Sequence, residues 1–174
     1  MLKIRKASKN DAASIALLGR ITFNESFGHL FRDKNDLSQY HLRTFSVNKI
    51  KSSVQKRENI YWVAFWDDLP VGYAKLKLNS QSDFPDSVQV CQLQKIYVLK
   101  DFLSMKIGLN LQEELLNEAR SLGNESIWLS VWDGNSRAIR FYEKNGFDKI
   151  GAHDFQIGKE NFDFIVMAKQ LVEK

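Results

Sequence analysis

Hydrophobic positions along the chain repeat with two different periods, and the places where the period changes divide it into elements. Leu2 to Lys6 reads as a short edge strand, and Ala7 to Asp11 as a turn into a helix with Ser8 as its cap. Ile15, Leu18, Ile21 and Thr22 recur at helical spacing and predict a helix from about Lys9 to Asn24, followed by the aromatic cluster Phe23, Phe27 and Phe31. Leu37, Tyr40, Leu42, Phe45, Ile50 and Val54 predict a second amphipathic helix, broken or bent near Ser46 to Asn48. From Ile60 the period becomes two. IYWVAFW is a strand, DDLP a hairpin turn with Pro70 presetting its geometry, and VGYAKLKL the return strand. The polar stretch SQSDFPD reads as a loop and VQVCQLQKIYV, ending at Val98, as a third strand of the sheet.

After Val98 the helical period returns. Leu111, Leu115, Ala119 and Leu122 share one face, and Gly123 stops the helix. The loop containing Gly108 leads a strand into this helix, an arrangement that leaves backbone N–H groups at a positive helix end. Ile127 to Trp132 is again a strand, Asp133 and Gly134 turn the chain, and Asn135 is suited to cap the helix that follows. There Ala138, Phe141 and Tyr142 form the apolar face, with Arg137, Arg140, Glu143 and Lys144 on the wet side and Gly146 as a left-handed terminator. DKIGAHDFQIG and FDFIVMAKQL are two final strands joined by a turn at Gly158 to Asn161.

Composition narrows the class without choosing the function. A chain of 174 residues, 44% hydrophobic and 26% charged, fits one globular domain covering residues 1–174. No apolar run approaches the roughly 18 residues a membrane span needs, and MLKIRKASKND lacks a secretory apolar segment, so a cytoplasmic protein without a membrane partner is expected. Cys91 lies within a strand and reads as a buried, inert thiol; with His29, His41 and His153 scattered, no metal site is expected. The net charge of +4 suits a phosphate-rich ligand, but the basic residues are spread along the chain with no recognition motif, which argues against nucleic acid.

Asn135, Ala138, Tyr142, Gly146 and Phe147 reproduce a strand followed by Asn-x-x-Ala-x-x-x-Tyr and a Gly-Phe pair. In this the chain resembles the GCN5-related N-acetyltransferases, the GNAT superfamily, and the whole order of elements follows that family's succession. The resemblance implies an α+β fold, an α/β/α sandwich with a mixed, mostly antiparallel seven-stranded sheet and helices on both faces. It implies acetyl-CoA as acyl donor and a small-molecule amine as acceptor, in a monomer or homodimer. In such a fold the backbone of Ile96, Tyr97 and Val98 pairs with the pantetheine arm. The N–H groups of Ser104, Met105, Lys106, Ile107, Gly108 and Leu109 hold the pyrophosphate, and Asn135 and Lys144 join the cofactor contacts. The phosphate loop departs from the family pattern: Leu103 and Lys106 stand where a Gln or Arg and a Gly are usual, and the Lys106 ammonium offers partial compensation.

The same resemblance makes Tyr142 the general acid that protonates the departing thiolate. It leaves the base unassigned, because Gln92 and Gln94 stand where many relatives carry a glutamate; water, Glu25 and His153 remain open. TFNESFGHLF and GAHDFQIG are similar to segments of bacterial spermidine and spermine N-acetyltransferases, which places Phe23, Glu25, Phe27 and His153 at an acceptor site. Phe23, Phe27 and Phe31 could line a slot for methylene groups, with Glu25 and Asp33 near the cations, or could simply pack one helix on the sheet. Acetylation of a protein N-terminus or lysine, and a non-catalytic acyl-CoA-binding role, are the competing readings.

Overall fold

The computed structural model describes residues 1–83 and 89–172. The expected loop at 80–86 and the start of the third strand at Val88 therefore lie partly outside the described residues. The strands are β1 (Leu2–Lys6), β2 (Asn59–Trp66), β3 (Leu69–Lys77), β4 (Val90–Val98), β5 (Ser126–Trp132), β6 (Asp148–Ile157) and β7 (Glu160–Gln170). The α-helices are α1 (Ala12–Phe27), α2 (Lys34–Thr44), α3 (Val47–Val54), α4 (Ile107–Ser121) and α5 (Ser136–Lys144). The strands form one seven-stranded sheet in the order β1-β2-β3-β4-β5-β7-β6. Every neighbouring pair is antiparallel except β4 and β5.

Period-two alternation sends side chains to both faces, and each face buries its apolar set under helices. Leu76, Leu93, Ile127, Leu129 and Met167 pack with Ile107, Leu111 and Leu115 of α4 and with Ile139 and Tyr142 of α5. On the other face Tyr61, Val63, Tyr73 and Phe162 pack with Ile15, Leu18, Phe23 and Phe27 of α1, Leu37 of α2 and Ile50 of α3. Ser8 caps the entry to α1 through a short 3-10 turn at Lys9–Asp11 and closes a reciprocal box with Asp11, which Arg5 grips through both guanidinium nitrogens at 2.8 and 2.9 Å. Gly146 ends α5 at φ 84°, a conformation that costs any residue with a Cβ.

Several expectations need correction. The β2–β3 turn is set by Asp67 and Asp68, both left-handed at φ 46° and 67°; Pro70 is already inside β3, opposite Phe65 and beside a bulge that tolerates its missing N–H. The second helix, by contrast, breaks where expected: the chain leaves helical geometry at Phe45, and Ser46 restarts it as a separate helix by accepting the Lys49 N–H at 3.2 Å. Ile21, Leu42 and Leu122 are exposed: Ile21 and Leu42 lie off the buried stripes of their helices, and Leu122 lies past the end of α4.

Candidate active site

The parallel ladder between β4 and β5 is short. It joins Val90 to Ser126, Cys91 to Ile127 and Gln92 to Trp128, then stops, although β4 continues to Val98 and β5 to Trp132. Each strand stays paired on its far side, β4 with β3 as far as Gly72 opposite Val98, and β5 with β7 as far as Trp132 opposite Phe164. The parting has a local cause. Lys75 pairs with Lys95 and Leu76 with Leu93, so Gln94 is an extra residue in β4, and a bulge of this kind bends its strand and increases the twist. Beyond it the backbone of β4 turns an unpaired edge toward the gap.

Two connected openings fill the gap. The larger, about 530 Å³, is bounded by Ile96, Tyr97 and Val98 of β4, the loop through Ser104 and Lys106, the first turn of α4 and the inner side of α5. The smaller, about 70 Å³, lies between the parted strands beside Phe27, Trp132 and Phe164. Ile96, Tyr97, Asn135, Ala138 and Tyr142 line both.

At the larger opening α4 begins without a side-chain cap, and Lys106 precedes it in the left-handed region at φ 59°. The first closing bond runs from the Asn110 N–H to the Lys106 carbonyl at 3.0 Å, so the N–H groups of Ile107, Gly108 and Leu109 come before any helical acceptor. A Cβ on Gly108 would meet no atom within 4 Å, which places that position against open space. Lys106 lines the opening, and so does Arg137, whose guanidinium donates to the Ser104 hydroxyl at 3.2 Å. Arg137 belongs by its helical spacing to the wet face of α5, but its place in the first turn after Asn135 carries it to the opening. Met105 and Lys144, both expected among the cofactor contacts, do not line the opening, and Lys144 sits exposed in the last turn of α5.

Asn135 caps α5, its side-chain oxygen accepting the Ala138 N–H at 3.1 Å, while its own N–H donates to the Trp132 carbonyl at 3.0 Å. Gly134 is required between them, since the Trp132 ring lies over it and would collide with any Cβ. Tyr142 is 8% exposed, with its ring against Phe141 and Phe147 at 5.3 and 5.6 Å. Burial pushes its phenol well above the usual tyrosine range, so it stays protonated at neutral pH. Cys91 is buried and its thiol is pushed up to about 12 by desolvation, which leaves it without nucleophilic character.

The acceptor-side residues separate. Phe23 lines neither opening; its ring packs on Phe27 at 4.8 Å and Tyr40 at 4.6 Å, and the packing alternative holds for it and for buried Phe31. Phe27 does both, touching Trp132 at 5.7 Å and Phe162 at 5.8 Å while walling the smaller opening. Glu25 lines the larger opening, and its carboxylate accepts the Lys100 N–H at 3.0 Å. Asp33 is occupied, capping α2 and pairing with Lys159 at 2.8 Å. His153 on β6 stacks on Phe164 with ring centroids 5.3 Å apart and meets the Ser130 hydroxyl at 2.8 Å. Gln92 accepts a hydrogen bond from Ser80, and Gln94 lines the smaller opening. Ser130, Trp132 and Phe164 were not read from the sequence as site residues, because each follows the ordinary alternation of its strand. Among the described residues no group of His, Cys, Asp and Glu could hold a metal ion, and no helix is long and apolar enough to cross a membrane.

The sequence profile of the acetyltransferase (GNAT) family matches residues 22–147. The chain belongs to that family and is an acetyl-CoA-dependent N-acetyltransferase. It is 23% identical over 171 residues to an uncharacterized N-acetyltransferase of Lactobacillus delbrueckii subsp. lactis, covering 98% of each chain. It is 32% identical over 102 residues to an uncharacterized N-acetyltransferase of Mycobacterium bovis, spanning 59% of this chain and 61% of that one. Among solved structures its fold is similar to that of the PaiA N-acetyltransferase of Thermoplasma acidophilum in complex with coenzyme A, with a TM-score of 0.77, 21% identity and coverage of 98% and 99%. It is similar too to the ribosomal-protein-S18-alanine N-acetyltransferase of Escherichia coli, with a TM-score of 0.73, 19% identity and coverage of 100% and 96%. The residues present fit acetyl-CoA: an uncapped helix end with free N–H groups, two cations beside it and an unpaired strand edge lie along one continuous opening.

Proposed function

We propose that this enzyme acetylates the primary amine of a small aliphatic molecule, with polyamines such as spermidine and spermine as the acceptor class. One observation carries the proposal. The opening between the parted strands is narrow and walled by Phe27, Trp132 and Phe164, which suits an unbranched methylene chain better than a folded protein surface. Glu25 adds charge complementarity: it forms no ion pair among the described residues and lines the neighbouring opening, where a second ammonium of the acceptor would sit.

When bound, acetyl-CoA supplies a thioester whose carbonyl carbon the amine attacks. The chain's own groups do the rest. The N–H groups at the start of α4, with Lys106 and Arg137, hold the pyrophosphate, and the free edge of β4 from Ile96 to Val98 pairs with the pantetheine arm. A phenol held protonated by burial is a proton donor, so Tyr142 protonates the leaving sulfur.

The test is release of free thiol from acetyl-CoA with a panel of spermidine, spermine, single amino acids and an alanine-terminated peptide. Spermidine and spermine are expected to give the highest kcat/KM, and Glu25→Gln to raise their KM several-fold with kcat kept. Tyr142→Phe is expected to lower kcat by about 10²-fold, the range of general acid catalysis, with the Kd for coenzyme A unchanged. Release with the peptide alone would overturn the polyamine assignment.

A further inference from the structure

We infer that Ser130 and His153 form a proton relay that takes the acceptor's ammonium proton out of the opening to solvent. The inference rests on the acetyltransferase reading above and supplies the base that Gln92 and Gln94 cannot be. Ser130 lies on β5 just past the end of its ladder with β4 and lines the smaller opening, which Tyr142 also lines. Its hydroxyl and His153 Nε2 are 2.8 Å apart, and the imidazole lies flat on Phe164 with an interplanar angle of 7°. His153 Nδ1 is 3.2 Å from the Asp154 carbonyl oxygen. A carbonyl only accepts, so Nδ1 carries the hydrogen and Nε2 presents its lone pair to Ser130. The Ser130 O–H therefore donates to His153, and the Ser130 oxygen is left to accept from a group in the opening.

The protons balance. The acceptor enters as an ammonium; its N–H bond breaks as an O–H bond forms at Ser130, while the original Ser130 proton moves to His153 Nε2. His153 is exposed, so the imidazolium returns its proton to water. The neutral nitrogen attacks, the C–S bond breaks, and Tyr142 protonates sulfur. The second proton lost from nitrogen as the amide forms replaces the one Tyr142 gave.

The neighbours of the imidazole add little charge of their own. Ser130 comes from β5 and Phe164 from β7; Asp154 and Asp163, opposite one another in register, point to the other face by the alternation of their strands. Ser130 acts on the acceptor directly, and His153 acts through it as a positioning residue.

Two readouts test the relay. In the free enzyme, the ring-nitrogen NMR shifts of His153 should report the Nδ1–H tautomer, and Ser130→Ala should move the Nε2 resonance while Ser130→Thr restores it. In turnover, Ser130→Ala and His153→Gln should each lower kcat about 10²-fold at pH 7. Both should move the acid limb of the kcat–pH profile up toward the acceptor's own ammonium pKa, leave coenzyme A affinity intact, and combine without additivity. Ser130→Thr should keep the wild-type profile. A His153→Gln enzyme with wild-type kcat and profile, or losses that simply add, would overturn the relay and leave the acetyltransferase reading standing. A wild-type enzyme inactive on every amine would overturn that reading and the relay with it.

Discussion

Lys106 holds the left-handed region at φ 59°, ψ 13°, on the residue where α4 begins. An L-residue there costs about 1 kcal/mol through its Cβ, which is why a glycine is the natural occupant of such a turn. The strain brings a cation to the mouth of the larger opening in return, beside Arg137 and the free N–H groups of α4. Lys106→Gly separates the two effects. The variant should be more stable by about 1 kcal/mol in urea titration. It should also bind coenzyme A about tenfold more weakly at low salt, the loss of one charge-assisted contact, with a shallower dependence of Kd on salt. Equal or tighter binding would remove the ammonium from the phosphate site.

At the scale of elements, the changes of hydrophobic period were enough to place all seven strands, the Asn135 to Phe147 string was enough to identify α5, and the helices on both faces came with the family resemblance that string carries. The parting of β4 and β5 near Val98 and Trp132 is what the family resemblance implies; its local cause leaves a faint mark in QLQKIYV, where Gln94 and Lys95 set two polar residues between Leu93 and Ile96, but such a break looks the same at a bulge as at a strand end. Phe23 misled for a similar reason: an aromatic at helical spacing looks the same whether it faces a ligand or a neighbouring ring. Lys75 and Lys95 are the other surprise of these strands. They pair across β3 and β4, half-buried, with the Lys75 amine over the Tyr61 ring at 5.4 Å and the Lys95 amine over Phe45 at 5.5 Å. Burial first, and for Lys75 the neighbouring lysine charge next, lower each to about 8. The folded state then releases these protons before the unfolded chain does, at its value near 10.4, so the two lysines contribute stability that rises with pH between about 8 and 10.4, opposed in the upper part of that window by the thiol of Cys91 and the phenol of Tyr142, which the fold keeps protonated. Thermal unfolding should show a Tm that increases from pH 7.5 to 9.5. Lys95→Met should start higher at pH 7.5 and climb less; a lower starting Tm or an unchanged slope would show that the ring contacts outweigh desolvation.

For the whole molecule, the acceptor side is closed by contacts between segments more than 120 residues apart. Arg32, in the connection between α1 and α2, donates from Nε to Glu160 at 2.8 Å and from its backbone N–H to the same carboxylate at 3.1 Å. Lys159, in the β6–β7 turn, pairs with Asp33 at 2.8 Å and donates its backbone N–H to Asp36 at 2.9 Å. Beneath this clamp Phe31 and Phe27 rest on Phe162, so it holds the wall of the smaller opening in place. Arg32 and Lys159 are largely exposed while Glu160 and Asp33 are partly covered, and ion pairs open to solvent on one side are weakened by salt. Hydrogen bonds from Arg32 and Lys159 hold Glu160 and Asp33 below the usual carboxylate range, so their contribution is present above that range and lost only as pH falls through the lowered values. Between pH 6 and 9 the lever is therefore ionic strength. Raising sodium chloride from 50 mM to 500 mM should increase the KM for the amine several-fold, with kcat nearly constant. Glu160→Gln combined with Lys159→Met should show a raised KM already at low salt and a smaller further rise, the part left to screening of Glu25. If the double variant keeps the wild-type KM and its salt dependence, the clamp is a surface contact only, and the position of Phe27 is set by the aromatic packing beneath it.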